Sequence, residues 1–445
     1  MSNNLYRELH DWVDPLLVAK RLIEIYGEPG LIWLDSDNSK NGRWIILAVD
    51  PIEYLSSRGL PQNPLSSNPF ELLRSIDTGH WCGWLSYEAG AWIEPTNPWK
   101  TDSMATLWMA RHDPVLKFDL YKKELWLEGS SKKRFSDLSK VLKDLYLNHK
   151  LTEKTQNLSK KSFQISKGEW EWLTNQKEFI KAVEILKKYI EKGDIFQANL
   201  SACCKAKKIK NVLAIEIFQI LRKSCPAPFS GVVVATGDSL GEAIISTSPE
   251  RFLKVLPNNE IETRPIKGTR PRHKNPQKDS ALAADLITNE KDRAENIMIV
   301  DLLRNDIGKV CQPGTIEVTK LVDLESYTQV HHLTSVIKGT LNDDKTWVDL
   351  LQACWPGGSI TGAPKIRACQ RLYELEPIAR GPYCGSLLHL DWDGQFDSNI
   401  LIRSLMIDKE SLRLNAGCGI VADSNPYTET EELKWKIMPL IEALE

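Results

Sequence analysis

GVVVATG (231–237), EAIISTS (242–248), RFLKVL (251–256) and IETRPIKGT (261–269) follow one another as short β-like runs. SALAADLITNEKDRAENIMIVDLLRND (280–306) then reads as one long helix. Strands arriving as a group, followed by helices as a group, predict an α+β fold rather than a doubly wound sheet. The pattern continues outward in both directions. Phe179, Val183, Leu186 and Ile190 recur at helical spacing, with Gly193 placed to end a helix over about 176–192. Downstream, ILIRSLMI (400–407) and LRLNAGCGIVA (412–422) are strand-like, and a last helix begins near Pro426, striped by Leu433, Ile437, Leu440 and Leu444. Upstream, LIWLD (31–35), RWIILAV (43–49) and GWLSYEA (83–89) are further strand-like runs broken by turns. HKLTEKTQNLSKKS (149–162) has two apolar residues and several Lys. The expected organisation is therefore a β-rich N-terminal domain over 1–148, a linker over 149–163 and a second domain over 164–445.

The chain has 445 residues, with 57 Lys and Arg against 59 Asp and Glu, for a formal charge of −2. Mean hydropathy of −0.32 and 15 Trp describe a folded chain. The charge balance offers no general attraction for nucleic acid or an anionic membrane. No apolar run approaches the roughly 20 residues that cross a bilayer, and the first residues resemble no signal peptide, so no membrane association and a cytoplasmic location are expected. Nine scattered Cys without a CxxC pair read as reduced, mostly buried thiols.

Several groups could carry chemistry. Asp292 and Glu295 stand three apart on one helical pattern, and Glu429 and Glu432 three apart on another. That spacing puts each pair on one helix face; should the faces converge, a hard cation such as Mg²⁺ would relieve the repulsion. Solvated helix faces are the bland alternative. GGSITGAPK (357–365) is a Gly-rich turn with Lys365 at its end, yet Ala363 breaks the phosphate-loop pattern, leaving a turn whose N–H groups could meet a carboxylate. Lys267, flanked by Arg264, Arg270 and Arg272, is either a nucleophile or a surface lysine in a basic turn. His332 can exchange a proton near neutrality or serve structurally. Arg403, inside an apolar run, requires an anionic partner.

In order along residues 180–436, KGDIFQANLS (192–201), STSPERF (246–252), RPIKGTRPR (264–272), KDRAENIMIVDLLRND (291–306), VHHLTS (330–335), PGGSITGAPK (356–365), RGPYCGS (380–386), NILIRSL (399–405) and AGCGIVADSNPYTETEE (416–432) together resemble the chorismate-utilising enzymes. LDS (34–36), GRW (42–44) and GWLSYE (83–88) are more loosely similar to that family's N-terminal region. The resemblance implies large mixed or antiparallel sheets flanked by helices. It implies Mg²⁺ held by Glu295 and Glu432, with Asp292 and Glu429 as companions; Asp292 is shorter than the Glu of many relatives. It also implies that Gly268, Thr269, Thr361, Lys365, Tyr383, Arg403, Gly417 and Gly419 line the chorismate pocket.

Three positions choose among the family's reactions. Gln197 stands where water-adding relatives carry Lys, and an amide cannot serve as that base. Lys267, in PIKGT rather than PIAGT, resembles the branch that makes 4-amino-4-deoxychorismate, with anthranilate formation as the alternative. Glu250 and His332 match catalytic positions, Glu250 as the acid for the leaving 4-hydroxyl. No G-x-C-x-G segment is visible, so a glutamine amidotransferase partner supplying ammonia is expected. Tryptophan near Asp35 and Ser36 is a further ligand that the resemblance permits.

Overall fold

The computed structural model describes residues 5–36, 43–152, 163–327 and 330–445. Two antiparallel sheets, of twelve and ten strands, form its frame. In the larger sheet, Ile32–Asp35 lies between Trp44–Ala48 and Phe229–Val234; the path then runs through Ala243–Ser248, Ser404–Ile407 and Ser411–Ile420 to Gln197–Lys207. The smaller sheet joins Glu53–Ser57, His80–Leu85 and Leu107–His112 to strands drawn from residues 251–399. Strands from before residue 130 and after residue 197 thus hydrogen-bond within the same two sheets.

Alternation explains why the larger sheet is buried on both faces. Trp33, Val232, Ile245 and Leu405 enter one core with the helices Gln176–Glu191, Ala214–Ser224 and Pro426–Leu444. Their neighbours Ile32, Val233, Ile244 and Met406 enter a second core between the sheets, beside Trp84, Trp108, Leu253 and Phe396. Successive side chains point to opposite faces, so runs apolar at every position are what a doubly covered sheet needs.

The α+β expectation holds. Helix Gln176–Glu191 starts at Asn175, whose side chain accepts from the Glu178 N–H while Glu178 returns the bond, and Gly193 follows it at φ +71°. The expected long helix over 280–306 is instead two, Pro276–Thr288 and Glu290–Gly308, with extended Asn289 between them. Asn289 Oδ1 accepts from the Asp292 N–H at 2.8 Å, a cap that starts the second helix three residues before Asp292 rather than letting the first continue. The run 400–407 becomes strand only from Ser404, because Arg403 has φ +49°; GWLSYEA leaves its strand at Leu85 and turns through Tyr87–Trp92. Of the expected linker, 149–152 end helix Lys132–Thr152, and 153–162 lie outside the described residues. Among the described residues no helix is long and apolar enough to cross a membrane.

Candidate active site

Two strand pairs and two helices converge at one end of the larger sheet. Gln197 and Ala198 pair with Ala363 and Gly362 on one side, and Ala198–Ser201 pair with Gly417–Ile420 on the other. Glycine is required here by contact. A Cβ at Gly362 would lie 2.1 Å from the Gln197 carbonyl oxygen, and one at Gly419 would lie 2.5 Å from Gln197 Nε2 and 3.2 Å from Glu295 Oε2. From the smaller sheet, Ile266–Pro271 pairs with Val330–Thr340, with an irregularity between Lys267 and Thr269 at Gly268, φ +79°. A Cβ at Gly268 would sit 2.9 Å from Asp292 Cγ, so the strand can approach the acidic helix only because that atom is missing.

The helix Glu290–Gly308 brings Asp292 and Glu295; the helix Pro426–Leu444 brings Glu429 and Glu432. Lys291 ties the two, its Nζ 3.1 Å from Glu429 Oε1 and 3.9 Å from Glu295 Oε1. Burial raises the Glu295 carboxyl above its ordinary range, with Asp292 and Glu432 adding repulsion against the relief from Lys267 and Lys291. Burial also raises Asp292, and Glu432 adds to it. Glu432 is held low despite burial because Lys436 lies 2.8 Å away. Oxygen-only donors from facing helices, repelling one another in a partly desolvated place, are the donor set that suits Mg²⁺. Cys418, Glu429 and Glu432 have potential ligand atoms within 4.8 Å of one another.

Lys267 faces this acidic face. Its Nζ donates to the Ser359 carbonyl at 3.2 Å and stands 3.9 Å from Glu295 Oε2, with the side chain 12% exposed. Glu250 is close enough to feel Lys267; burial pushes its carboxyl up to about 7, moderated by Ser359 and then by Lys267. His332 is buried, its Nδ1 2.9 Å from Thr269 Oγ1 and its Nε2 without a hydrogen-bond partner among the described residues. Burial, then the Arg403 charge, lowers it to about 3, so the ring is neutral at physiological pH. Gln197 donates to Glu295 Oε2 at 3.4 Å, and its buried Oε1 is unpaired.

Other expected residues divide in two. Tyr383 is buried, and its hydroxyl lies 3.1 Å from where a Gly417 Cβ would stand. Arg403 spends its carbonyl on Thr247, while its guanidinium has no ion-pair partner among the described residues. Burial lowers its pKa, the sign of a cation lacking an anion. Lys365 ties the end of the loop to two helices, while Thr361 bonds within the loop. Lys365 Nζ donates to Asp306 Oδ2 at 2.5 Å and to the Cys354 carbonyl at 2.9 Å; Thr361 Oγ1 donates to the Gly357 carbonyl at 2.9 Å. Asp35 pairs with Arg222 (Nη2 to Oδ1, 3.2 Å), and Ser36 donates to the Trp44 carbonyl at 3.1 Å.

Sequence reasoning missed Lys291, Lys436 and Ser359. Lys436 Nζ donates to the Gly417 carbonyl at 2.7 Å as well as pairing with Glu432, which adds a second cation next to the unpaired Arg403. The signal was the i,i+4 spacing from Glu432, indistinguishable in sequence from a surface helix pair.

The pattern of chorismate binding enzymes matches residues 31–442. An anthranilate synthase component I-like protein of Synechocystis is 38% identical over 371 residues, 82% of this chain and 73% of that protein. Aminodeoxychorismate synthase component 1 of Salmonella typhimurium is 44% identical over 257 residues, 58% of this chain and 55% of that protein. The crystal structure of anthranilate synthase component I from Streptococcus pneumoniae superposes with a TM-score of 0.72 at 27% identity, covering 91% of this chain and 93% of that one.

Proposed function

Because the chain belongs to the chorismate binding enzymes, we propose that it converts chorismate and ammonia to 4-amino-4-deoxychorismate, the precursor of 4-aminobenzoate for folate. The observation that carries this reading is Lys267, a little-exposed amine whose neighbours are the Ser359 carbonyl and Glu295, on the same side as the acid Glu250. Gln197, in turn, offers no base with which to activate water.

The substrate's two carboxylates find cations in Arg403 and Lys436, and its ring lies against Gly417, Gly419, Gly268 and Thr269, with Tyr383 behind. Lys365 and Thr361 act one step back by holding the loop. Mg²⁺, bound by Glu295 and Glu432 with Asp292 and Glu429 beside them, would fix a carboxylate and screen its charge. Lys267 Nζ forms a bond to C2 as both ring double bonds shift and the C4–O bond breaks; Glu250 gives its proton, and water leaves. Ammonia then bonds to C4, both double bonds return, and the C2–N bond breaks. The extra proton on the adduct nitrogen returns to Glu250, and the proton lost by the incoming ammonia goes to the departing amine, so both residues end as they began. Neutral His332, free at Nε2, is suited to a hydrogen bond rather than to carrying charge.

The ammonia comes from a glutamine amidotransferase partner in this reading, and the reaction is cytoplasmic. Tryptophan in the cleft beside Asp35 and Ser36 would have to share Asp35 with Arg222. The second reading, anthranilate formation, is favoured by the names of two of the relatives. Product identification from chorismate, Mg²⁺ and ammonium separates the two, since anthranilate is fluorescent. Intact mass with chorismate but no ammonia should show a covalent adduct absent from Lys267→Ala; unchanged turnover by Lys267→Ala removes the covalent step.

A further inference from the structure

On the smaller sheet, His389 stands opposite Cys82 and Leu390 opposite Trp81, so the register carries Asp391 to His80. Residues two apart on a strand share a face, as do residues directly opposite. His389, Asp391 and His80 are therefore aimed to the same side of two strands whose positions the hydrogen-bond ladder fixes. The side chains meet: His80 Nε2 and His389 Nε2 are 3.0 Å apart, and a ring nitrogen of each and a carboxylate oxygen of Asp391 lie within 4.8 Å of one another. His80 is fully buried, and its Nδ1 has no hydrogen-bond partner among the described residues. His389 and Asp391 border a cleft of about 670 Å³ that also reaches Asp35 and Trp44, so the open side of the cluster faces a space that admits solvent.

We propose that His80, His389 and Asp391 form a site for a borderline divalent cation of the Zn²⁺ class, separate from the acidic helices. Two imidazole nitrogens and one carboxylate are the donors such an ion prefers, whereas Mg²⁺ and Ca²⁺ favour oxygen alone. Metal–nitrogen bonds of about 2.0–2.1 Å at a tetrahedral angle put the two nitrogens roughly 3.3 Å apart. The facing nitrogens need to separate by only a few tenths of an ångström to reach that spacing. The proton now shared between them moves to Nδ1 of its own ring, and both Nε2 lone pairs go to the metal. A water from the cleft completes the coordination. The group that opposes the ion is Lys117, whose Nζ lies 2.7 Å from Asp391 Oδ2. The same Nζ is 2.8 Å from Glu128 Oε2, so the lysine keeps a counter-ion when the metal takes Asp391. The ion would tie the strand His80–Leu85 to the end of Ser386–Leu390, pinning early and late parts of the chain at the edge of the cleft.

The test uses Co²⁺ as a spectroscopic probe on the full chain, with Mg²⁺ in excess to occupy the acidic helices. One equivalent of Co²⁺ should give visible absorption of low-coordinate, nitrogen-ligated metal. His389→Asn and the less buried Asp391→Asn should each weaken it by about tenfold or more, and Glu432→Gln should leave it intact. Lys117→Met should tighten binding by about tenfold, the effect of removing a like charge a few ångströms away. Chorismate consumption by His389→Asn should be unchanged under Mg²⁺, and matching far-UV spectra of the metal-free variants would show that they fold. Co²⁺ binding that is insensitive to both His389→Asn and Asp391→Asn, or that disappears with Glu432→Gln, overturns the proposal.

Discussion

Replacing Glu250 with Gln should make the protein more stable in mild alkali while destroying its activity. The folded state holds the Glu250 proton up to about pH 7, whereas the unfolded chain releases it near the ordinary 4.5. Between those values the unfolded state binds fewer protons, so stability falls as pH rises. The contribution is fully present below about 4.5 and is lost as pH passes through about 7. At 1.36 kcal/mol per pH unit the whole span is worth roughly 3 kcal/mol, of which about 2–3 kcal/mol falls between pH 5 and pH 8. An amide of the same shape has no such titration. Glu88, also buried and pushed up to about 8, titrates in both proteins and cancels in their difference. Urea midpoints of parent and Glu250→Gln, measured without Mg²⁺ at pH 5 and pH 8, should therefore diverge in favour of the variant at the higher pH. Its kcat should fall by about 10²–10⁴ if Glu250 is the acid, and the parent's rate should decline above pH 7. A stability difference that is the same at both pH values refutes the argument that burial holds this proton.

Gly268→Ala places a side chain at φ +79° and 2.9 Å from Asp292 Cγ; a loss of about 1–3 kcal/mol in thermal unfolding is expected, together with a higher Mg²⁺ requirement. Arg380 is buried, pairs with Glu376 and donates to the carbonyls of Ile360 at 2.7 Å and Asn199 at 2.6 Å. Arg380→Met should cost about 3–5 kcal/mol in denaturant unfolding because it strands a buried carboxylate, and Arg380→Met with Glu376→Leu should recover part of it. Arg403→Ala should raise KM for chorismate more than it lowers stability, since no anion among the described residues loses a partner; a large drop in melting temperature with unaltered KM would contradict that. Chelation by EDTA should abolish turnover, and Glu432→Gln should shift the Mg²⁺ dependence upward by about tenfold or more.

The helix Pro426–Leu444 was legible because Leu433, Ile437, Leu440 and Leu444 mark a one-sided stripe, and the structure buries all four. The α+β class followed from strands that come in groups. The break at Asn289 was not legible, because flanking residues on both sides keep helical spacing and only the local cap decides. Arg403 was readable as an anomaly in an apolar run, yet its φ +49° was not, since a left-handed arginine is set by the chain around it. The acidic pairs could be placed on helix faces from spacing, but the lysine between Glu295 and Glu429 comes from tertiary packing. Lys365 illustrates the reverse: its position beside a Gly-rich turn suggested a ligand contact, whereas Asp306, 59 residues away in sequence, takes its charge.

The interleaving of early and late strands has a consequence for synthesis. Ile32–Asp35 cannot complete its ladder until Phe229–Val234 has left the ribosome, and His80–Leu85 must wait for Ser386–Leu390. Until then the nascent chain exposes open, apolar β-edges, the geometry most prone to pairing with other molecules. A gene fragment encoding the first third alone should accordingly yield insoluble product, and supplying the missing portion as a separate polypeptide during expression should rescue it.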